Sequence, residues 1–386
     1  MKKLLLLLFS LLISLNSYSE TICVETDLQY VDGIYYLPTI TKPFTGENLC
    51  KFENGQIKSN GKLKDGKWND KMTLWHKNGQ KELEGNYKDG NWNGKVNLWH
   101  ENGQKKEERS YKDGKAHDKW ISWYDNGQKE GEENYKDGKY DGKTTWWHQN
   151  GQKELEENYK KGMKDGKYTS WYKNSKLRIE GYWKTDNQTG KWTVWNENGQ
   201  KIREENYKND KRDGKYIGWY SNGQKETEGN LKGGIQDGKW IGWDENGQIR
   251  WVINSKNDKR NGKFSTWHEN GQKMQEHNYL DGNFDGKQSD WHENGKISSE
   301  INYKDGKKDG WVIFWYENGQ KMSEGNHKND KRVGKLTYWH ANGQKWRLGY
   351  YKDDKQDGKW TIWYQNGQVE AEATFKDGKC VSGGCS

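Results

Sequence analysis

The stretch KVNLWHENGQKKEERSYKDG, residues 95–114, is punctuated by two glycines, Gly103 and Gly114, with strand-like residues between and before them. Val96 to His100 mixes apolar and polar residues in alternation, and Lys105 to Tyr111 makes a second run of strand length. Between them stands Asn102-Gly103. Asn-Gly between two such runs is the strongest short hairpin signal, because a type I′ turn needs positive φ at both central residues. Lys112-Asp113-Gly114 then opens a looser connection to the next hairpin. Pairing Glu101 with Gln104 sets a register in which Trp99 faces Lys106 and Asn97 faces Glu108.

Working outward, the same text returns. Asn-Gly begins at Asn54, Asn78, Asn102, Asn126 and Asn150, and again at Asn198, Asn222, Asn246, Asn270, Asn294, Asn318, Asn342 and Asn366. The spacing is 24 residues throughout, and the one missing member, Asn174-Ser175, keeps the phase. In the same phase runs a ladder of thirteen tryptophans: Trp75, Trp99, Trp123, Trp147, Trp171, Trp195, Trp219, Trp243, Trp267, Trp291, Trp315, Trp339 and Trp363. A fixed period of this length is the signature of a repeat architecture. Two glycine-containing breaks per period leave no segment long enough for a packed helix. The expected fold is all-β, an elongated ribbon or solenoid of about thirteen stacked hairpins, each advancing about 10 Å because strands lie about 4.8 Å apart.

Composition agrees. Hydrophobic residues make up 30% and charged residues 32% of the 386, which for a compact globule is too little core. The 24 Trp and 23 Tyr supply buried area instead, and 47 Gly against 2 Pro indicate turns that need positive φ. The net charge of +8 is the small difference between 65 basic and 57 acidic residues interleaved along the chain. No basic block reads as a nucleic-acid arm.

Constant period means constant columns. Nine residues after the ladder Trp stands Glu in eleven of thirteen units, including Glu84, Glu108 and Glu132. This column suits cross-strand pairing with Lys, the alternative being an acidic stripe that binds a cationic partner. Two residues before the Trp lies a small or β-branched residue, such as Thr73, Ile121 or Thr145. The opposite face carries Met72, Val96, Trp120, Tyr168, Trp192 and Trp240, with a third column of Tyr87, Tyr111, Tyr135 and their successors. Side chains of successive units then meet their own kind. After the ladder Trp, His76, His100, His148, His268, His292 and His340 interchange with Tyr124, Tyr172, Tyr220, Tyr316 and Tyr364. That interchange points to a packing or hydrogen-bonding aromatic. Histidines about 10 Å apart cannot easily share a zinc ion whose ligands lie at about 2 Å.

The N-terminus reads as an export signal: Lys2 and Lys3, an apolar run from Leu4 to Leu15, and a small-x-small site at Ser17-Tyr18-Ser19 with Glu20 as the mature start. An uncleaved anchor is the alternative. The boundaries drawn are signal peptide 1–19, N-terminal cap 20–50, repeat array 51–379 and a cysteine-containing tail 380–386. Cys23 and Cys50 flank the start of the array, Cys380 and Cys385 close it, and an exported chain suggests the pairs Cys23–Cys50 and Cys380–Cys385, against unpaired thiols or a weaker metal site.

The unit, Tyr-Lys-Asp-Gly-Lys-x-Asp-Gly-Lys followed by Trp-Tyr-x-Asn-Gly-Gln-Lys, resembles the MORN repeat in its bacterial variant form, over residues 51–379. Tyr87, Gly90 and Gly94 fit its aromatic-and-glycine spacing, as do Tyr135, Gly138 and Gly142, and Gly85 precedes Tyr87 as in some units of that family. The first glycine is replaced by Asp186, Asp210, Asp258, Asp330 and Asp354, the second by Asp118, and the period is one residue longer. The resemblance implies stacked hairpins that bind or scaffold; family members are linked to membrane lipids, protein assembly and, in bacteria, antitoxin roles.

No nucleophile motif, phosphate loop or zinc helix is present in the sequence. The expectation is therefore a non-enzymatic, exported scaffold that binds a protein partner. It has no catalytic residue, no cofactor and no bound metal, and it resides in the periplasm, on the cell surface or in the medium. Other candidates are a carbohydrate- or choline-like wall-binding module, which would show deep pockets between repeats, and an antitoxin or immunity-type partner of a toxin. Contact with a cell-wall glycan or a membrane surface is compatible with either; nucleic acid is not expected.

Overall fold

The computed structural model describes residues 21–38 and 41–384; the proposed export signal lies outside them. The described residues are strands, turns and bends, with no helix among them. The protein is all-β. Its contacts divide it into one unit of residues 1–166 with 173–175 and a second of 167–172 with 176–386.

Each unit is a meander of antiparallel hairpins. In the first, Gly46–Lys51 pairs with Ile57–Lys64, then come Lys67–Trp75, Lys81–Lys88, Asn91–Trp99 and Lys105–Lys112, each hydrogen-bonded to the one before. In the second, the same alternation runs from Leu177–Lys184 and Asn187–Trp195 to Val369–Lys376 and Lys379–Gly383.

The turns exchange the roles expected of them. At Asn102-Gly103 the His100 N–H donates to the Gln104 carbonyl and the Gly103 N–H to the His100 carbonyl, both at 2.9 Å. Gly103 has φ +84°, whereas Asn102 keeps a negative φ. This is a three-residue loop in which a tight turn ends in one left-handed residue, not a two-residue I′ turn. The two-residue turn with both residues left-handed is instead Asp113-Gly114, at φ +48° and +77°, closed by Lys112 opposite Lys115. The connection expected to be loose is therefore the tightest in the unit. Where Gly103 has its counterpart in Ser175, that serine also takes positive φ, at 67°.

The three-residue loop also shifts the register. Trp99 pairs with Lys105, not Lys106, and Lys106 is the extra residue of a bulge; beyond it Asn97 faces Glu108 as expected. The bulge recurs at the same place in other hairpins of both units.

Packing lies on one face of the sheet more than the other. Val96, Trp192, Trp240, Leu336 and Trp360 are buried, all in the column three residues before the ladder Trp. A bulky ring in that column is accommodated by glycine on the neighbouring strand. A Cβ at Gly181, Gly229 or Gly349 would lie 2.1, 2.0 and 2.0 Å from the rings of Trp192, Trp240 and Trp360. The Tyr column stacks against aromatics of the next strand rather than solely against itself: Tyr87 lies on Trp92 at 3.7 Å, and Trp120, Tyr135 and Tyr140 follow one another at 4.6 Å.

At the start of the first unit Thr21–Ile22 lies parallel to Gly46–Lys51, and Cys23 is disulfide-bonded to Cys50. A short parallel strand thus covers what would be an open sheet edge. Cys380 is also disulfide-bonded; Cys385 lies outside the described residues.

Candidate interaction faces

Each of the thirteen ladder tryptophans ends the strand that enters a hairpin tip, and each is half buried. Alternation along the strand puts Lys95, Asn97 and Trp99 on one face, with Lys105 and Glu108 opposite them. Glu108 accepts from Lys95 at 2.9 Å and from Lys105 at 2.6 Å. Lys105 Nζ in turn lies 5.6 Å from the ring centre of Trp123 in the following repeat. The arrangement repeats with Lys71, Lys81, Glu84 and Trp99, and in the second unit with Lys215, Lys225, Glu228 and Trp243. What covers at least eight of the ladder rings is a lysine of the preceding repeat, where the sequence suggested like stacked on like; ahead of Trp75, Trp195, Trp267 and Trp315 the same position holds Ile57, Leu177, Ile249 and Ile297.

The glutamates respond to these neighbours. Glu84 and Glu228 titrate below the usual carboxylate range, chiefly because Lys81 and Lys215 donate hydrogen bonds to them. An acidic stripe does not result. Two lysines flank seven of the glutamates, Glu84, Glu108 and Glu228 among them, so there the face carries a lysine on either side of a neutralised centre; Glu300, Glu324 and Glu372 pair with one lysine each.

The hairpin tips are tied by two further ladders. His76 Nε2 donates to the carbonyl of Trp99 at 3.1 Å, and His100 to that of Trp123 at 3.1 Å. Because a carbonyl can only accept, Nε2 carries the proton. Tyr124 and Tyr220 donate from their hydroxyls to Trp147 and Trp243 at 2.8 and 2.9 Å. Both side chains place a donor at the same reach, which is why they interchange. Asn102 accepts from the Gln104 N–H at 2.9 Å and donates to the Asp125 carbonyl of the next tip at 3.1 Å. The asparagine is there for its carboxamide, not for a left-handed backbone.

The aspartates that replace glycine do similar work. Asp210 keeps the left-handed conformation at φ +61°, its N–H donates to Gln188 O at 3.2 Å, and its carboxylate accepts from Gln188 N–H at 2.7 Å. Asp330 and Asp354 repeat this with Lys308 and Arg332.

The opposite face changes from unit to unit. The position occupied by Leu98 holds Ser122 and Trp146 in the next two units, and that of Glu107 holds Gly131 and Leu155. In the second unit this face buries Glu205, held by Arg212 at 2.8 Å, Arg203 at 3.2 Å and the Tyr207 hydroxyl at 2.9 Å. It also places His277 Nε2 2.8 Å from Asp290, whose other oxygen accepts from Ser299 at 2.7 Å. Met322 and Trp346 stand exposed on it, in the bulge position held by Lys106 elsewhere.

A repeat β-protein with one constant and one variable face is the class these features define. The MORN repeat variant model matches eleven segments between residues 92 and 377, among them 92–113, 140–161, 188–209 and 356–377, together more than half of the chain. The chain belongs to the MORN repeat variant family. No curated protein sequence matches it. Among solved structures, a crystal structure of TcdB2-TccC3 aligns at 9% identity over 89% of this chain and 23% of that one, with a TM-score of 0.17. The Photorhabdus luminescens Tc holotoxin pore aligns at 12% identity over 91% and 19%, also at 0.17. The chain spans less than a quarter of either, and overlaps this slight bear on neither fold nor function.

Proposed function

We propose that this protein is an exported, non-enzymatic scaffold that binds a protein partner through its variable face. The observation that carries the reading is the contrast between faces. The constant face pairs its glutamates with lysines and repeats nearly alike along the array, Val252, Leu348 and Trp311 being exceptions, so it offers a partner many near-equivalent positions. The variable face differs at each step and exposes Met322 and Trp346, side chains of the kind that anchor interfaces. Export is supported by the apolar N-terminal run with its cleavage site and by the Cys23–Cys50 disulfide. A non-enzymatic role is supported by the order of the His277–Asp290–Ser299 contacts. The carboxylate stands in the middle and the serine donates to it, so the imidazole is not placed to take the serine proton.

The test uses the full chain as bait on a native envelope extract, beside a Met322→Lys, Trp346→Lys variant. Lys106 occupies the same position, so the strand tolerates lysine there. A protein retained by the parent and lost by the variant is the expected result. Retention of glycan rather than protein, or equal capture by both baits, would overturn it.

A further inference from the structure

The first unit contains a cavity of about 340 Å³ on the variable face. It exists because two adjacent positions lack bulk. Ser122 stands where Leu98 and Trp146 stand in the flanking repeats, and Gly131 where Glu107 and Leu155 stand. The two pair directly across strands, so their missing side chains leave one shared space. Trp146 closes that space from the following strand; a Cβ on Gly131 would lie 2.7 Å from its ring and 2.9 Å from Ser122 Oγ.

The charge in the cavity is unbalanced. Glu107 and Arg109 neutralise one another, and the Arg109 guanidinium lies 5.3 Å from the ring centre of Trp120. Glu130 and Glu133 also line the space and form no ion pair among the described residues. One oxygen of Glu133 accepts from the Tyr135 hydroxyl at 2.6 Å. The cavity therefore combines an indole wall with two carboxylates that lack a cation, which is the chemistry that recognises an organic ammonium ion.

We propose that this cavity is a binding site for an alkylated ammonium group. The cation lies against Trp146 with Glu133 as its counter-charge, and Ser122 and Gly131 provide the room. Arg109 stays on Trp120, held there by Glu107, and leaves Trp146 to the ligand. A free quaternary ammonium and the headgroup of a choline-bearing lipid or polymer share this chemistry.

The experiment titrates choline into the full chain, reading the trimethyl proton resonance and the heat of binding, with the neutral isostere 3,3-dimethylbutan-1-ol as control. Saturable choline binding, about tenfold or more tighter than the alcohol, is the expected result. Glu133→Gln keeps the shape and should weaken choline by about tenfold while leaving the alcohol unchanged. Ser122→Leu, which copies Leu98, should abolish binding of both. Phosphatidylcholine vesicles against phosphatidylglycerol vesicles then separate a headgroup from a free cation. Equal affinity for choline and the alcohol, binding unaffected by Ser122→Leu, or no saturable binding to the folded parent would each overturn the site. Its failure leaves the protein-partner reading intact, because Met322 and Trp346 belong to the other unit.

Discussion

At the scale of single residues, two tryptophans of neighbouring columns have different work. Trp240 is 5% exposed and packs on Gly229, whereas Trp219 is less completely buried beneath Lys201 at 5.8 Å. Trp240→Ala should therefore cost roughly 3–5 kcal/mol, since it removes a buried ring and leaves a void. Trp219→Ala loses less buried area and one cation–π contact, and should cost less, about 2 kcal/mol. Denaturant unfolding of the pair checks the order; equal losses would mean that the ladder is core. His327 offers a pH test. It stands in the Tyr column, and burial holds its imidazole below the ordinary histidine value, with Lys308 and Arg332 acting in the same direction against Asp354 and Asp330. A folded value depressed below the unfolded one means that the folded state resists protonation. The stabilising contribution is present above the ordinary histidine value and is lost as pH falls toward the depressed one. His327→Tyr should thus gain stability relative to the parent as pH falls from about 7 to about 5. A stability difference that is flat over that window would refute it.

At the scale of the hairpin, the sequence was legible in its period and illegible in its turn chemistry. Asn-Gly and Asp-Gly both announce a turn, and the letters alone do not say which of them uses two left-handed residues. The deciding contact is the Asn carboxamide reaching the next tip 23 residues away, as from Asn78 to Glu101, and a local reading has no access to that. The same limit hid the lysine over ladder rings such as Trp99 and Trp243 and the cross-strand Glu–Lys register near the bulge. The Gly–Trp pairs were readable in principle, because Gly181, Gly229 and Gly349 each precede a Trp by eleven residues. A turn test follows from Gly223, which has φ +87° and open space around its Cα. Gly223→Ala meets no atom, so its cost is backbone strain alone, about 1 kcal/mol. Thermal unfolding that shows no loss would place that loop outside the cooperative structure.

For the molecule as a whole, each hairpin contacts chiefly its sequence neighbours, so stability is a sum of unit and interface contributions. Removing Tyr207 to Asn230, one period of 24 residues in the second unit, brings Leu231 into the phase of Tyr207 and rejoins strand to strand. That variant should fold and unfold with a midpoint near the parent's. Removing the first 12 of those residues joins Asn206, in the return strand of one hairpin, to Trp219 at the tip of the next, and puts the ladder Trp where Tyr207 belongs, on the other face. It should unfold far more readily. If both deletions are equally damaging, the second unit is one indivisible core.

The asparagine ladder has one more consequence, in how the protein ages. Asn-Gly is the dipeptide most prone to close into a succinimide, because the glycine nitrogen can attack the preceding side-chain carbonyl unhindered. Here the Gly103 N–H is engaged with His100, and the Asn102 carboxamide is held at both ends, by Gln104 and by the next hairpin tip. Asn54 and Asn366, in the first and last hairpins, reach Gln56 and Gln368 with their amides, at 3.0 and 3.4 Å, rather than a neighbouring tip. During prolonged mildly alkaline storage isoaspartate should therefore accumulate first at Asn54 and Asn366 and last at sites tied to the next tip such as Asn102, as peptide mapping would read. Uniform conversion would mean the carboxamide bonds hold nothing. If the gradient appears, the repeat array keeps a chemical clock at its ends, and a carboxamide reaching from one hairpin to the next is what slows it at sites such as Asn102.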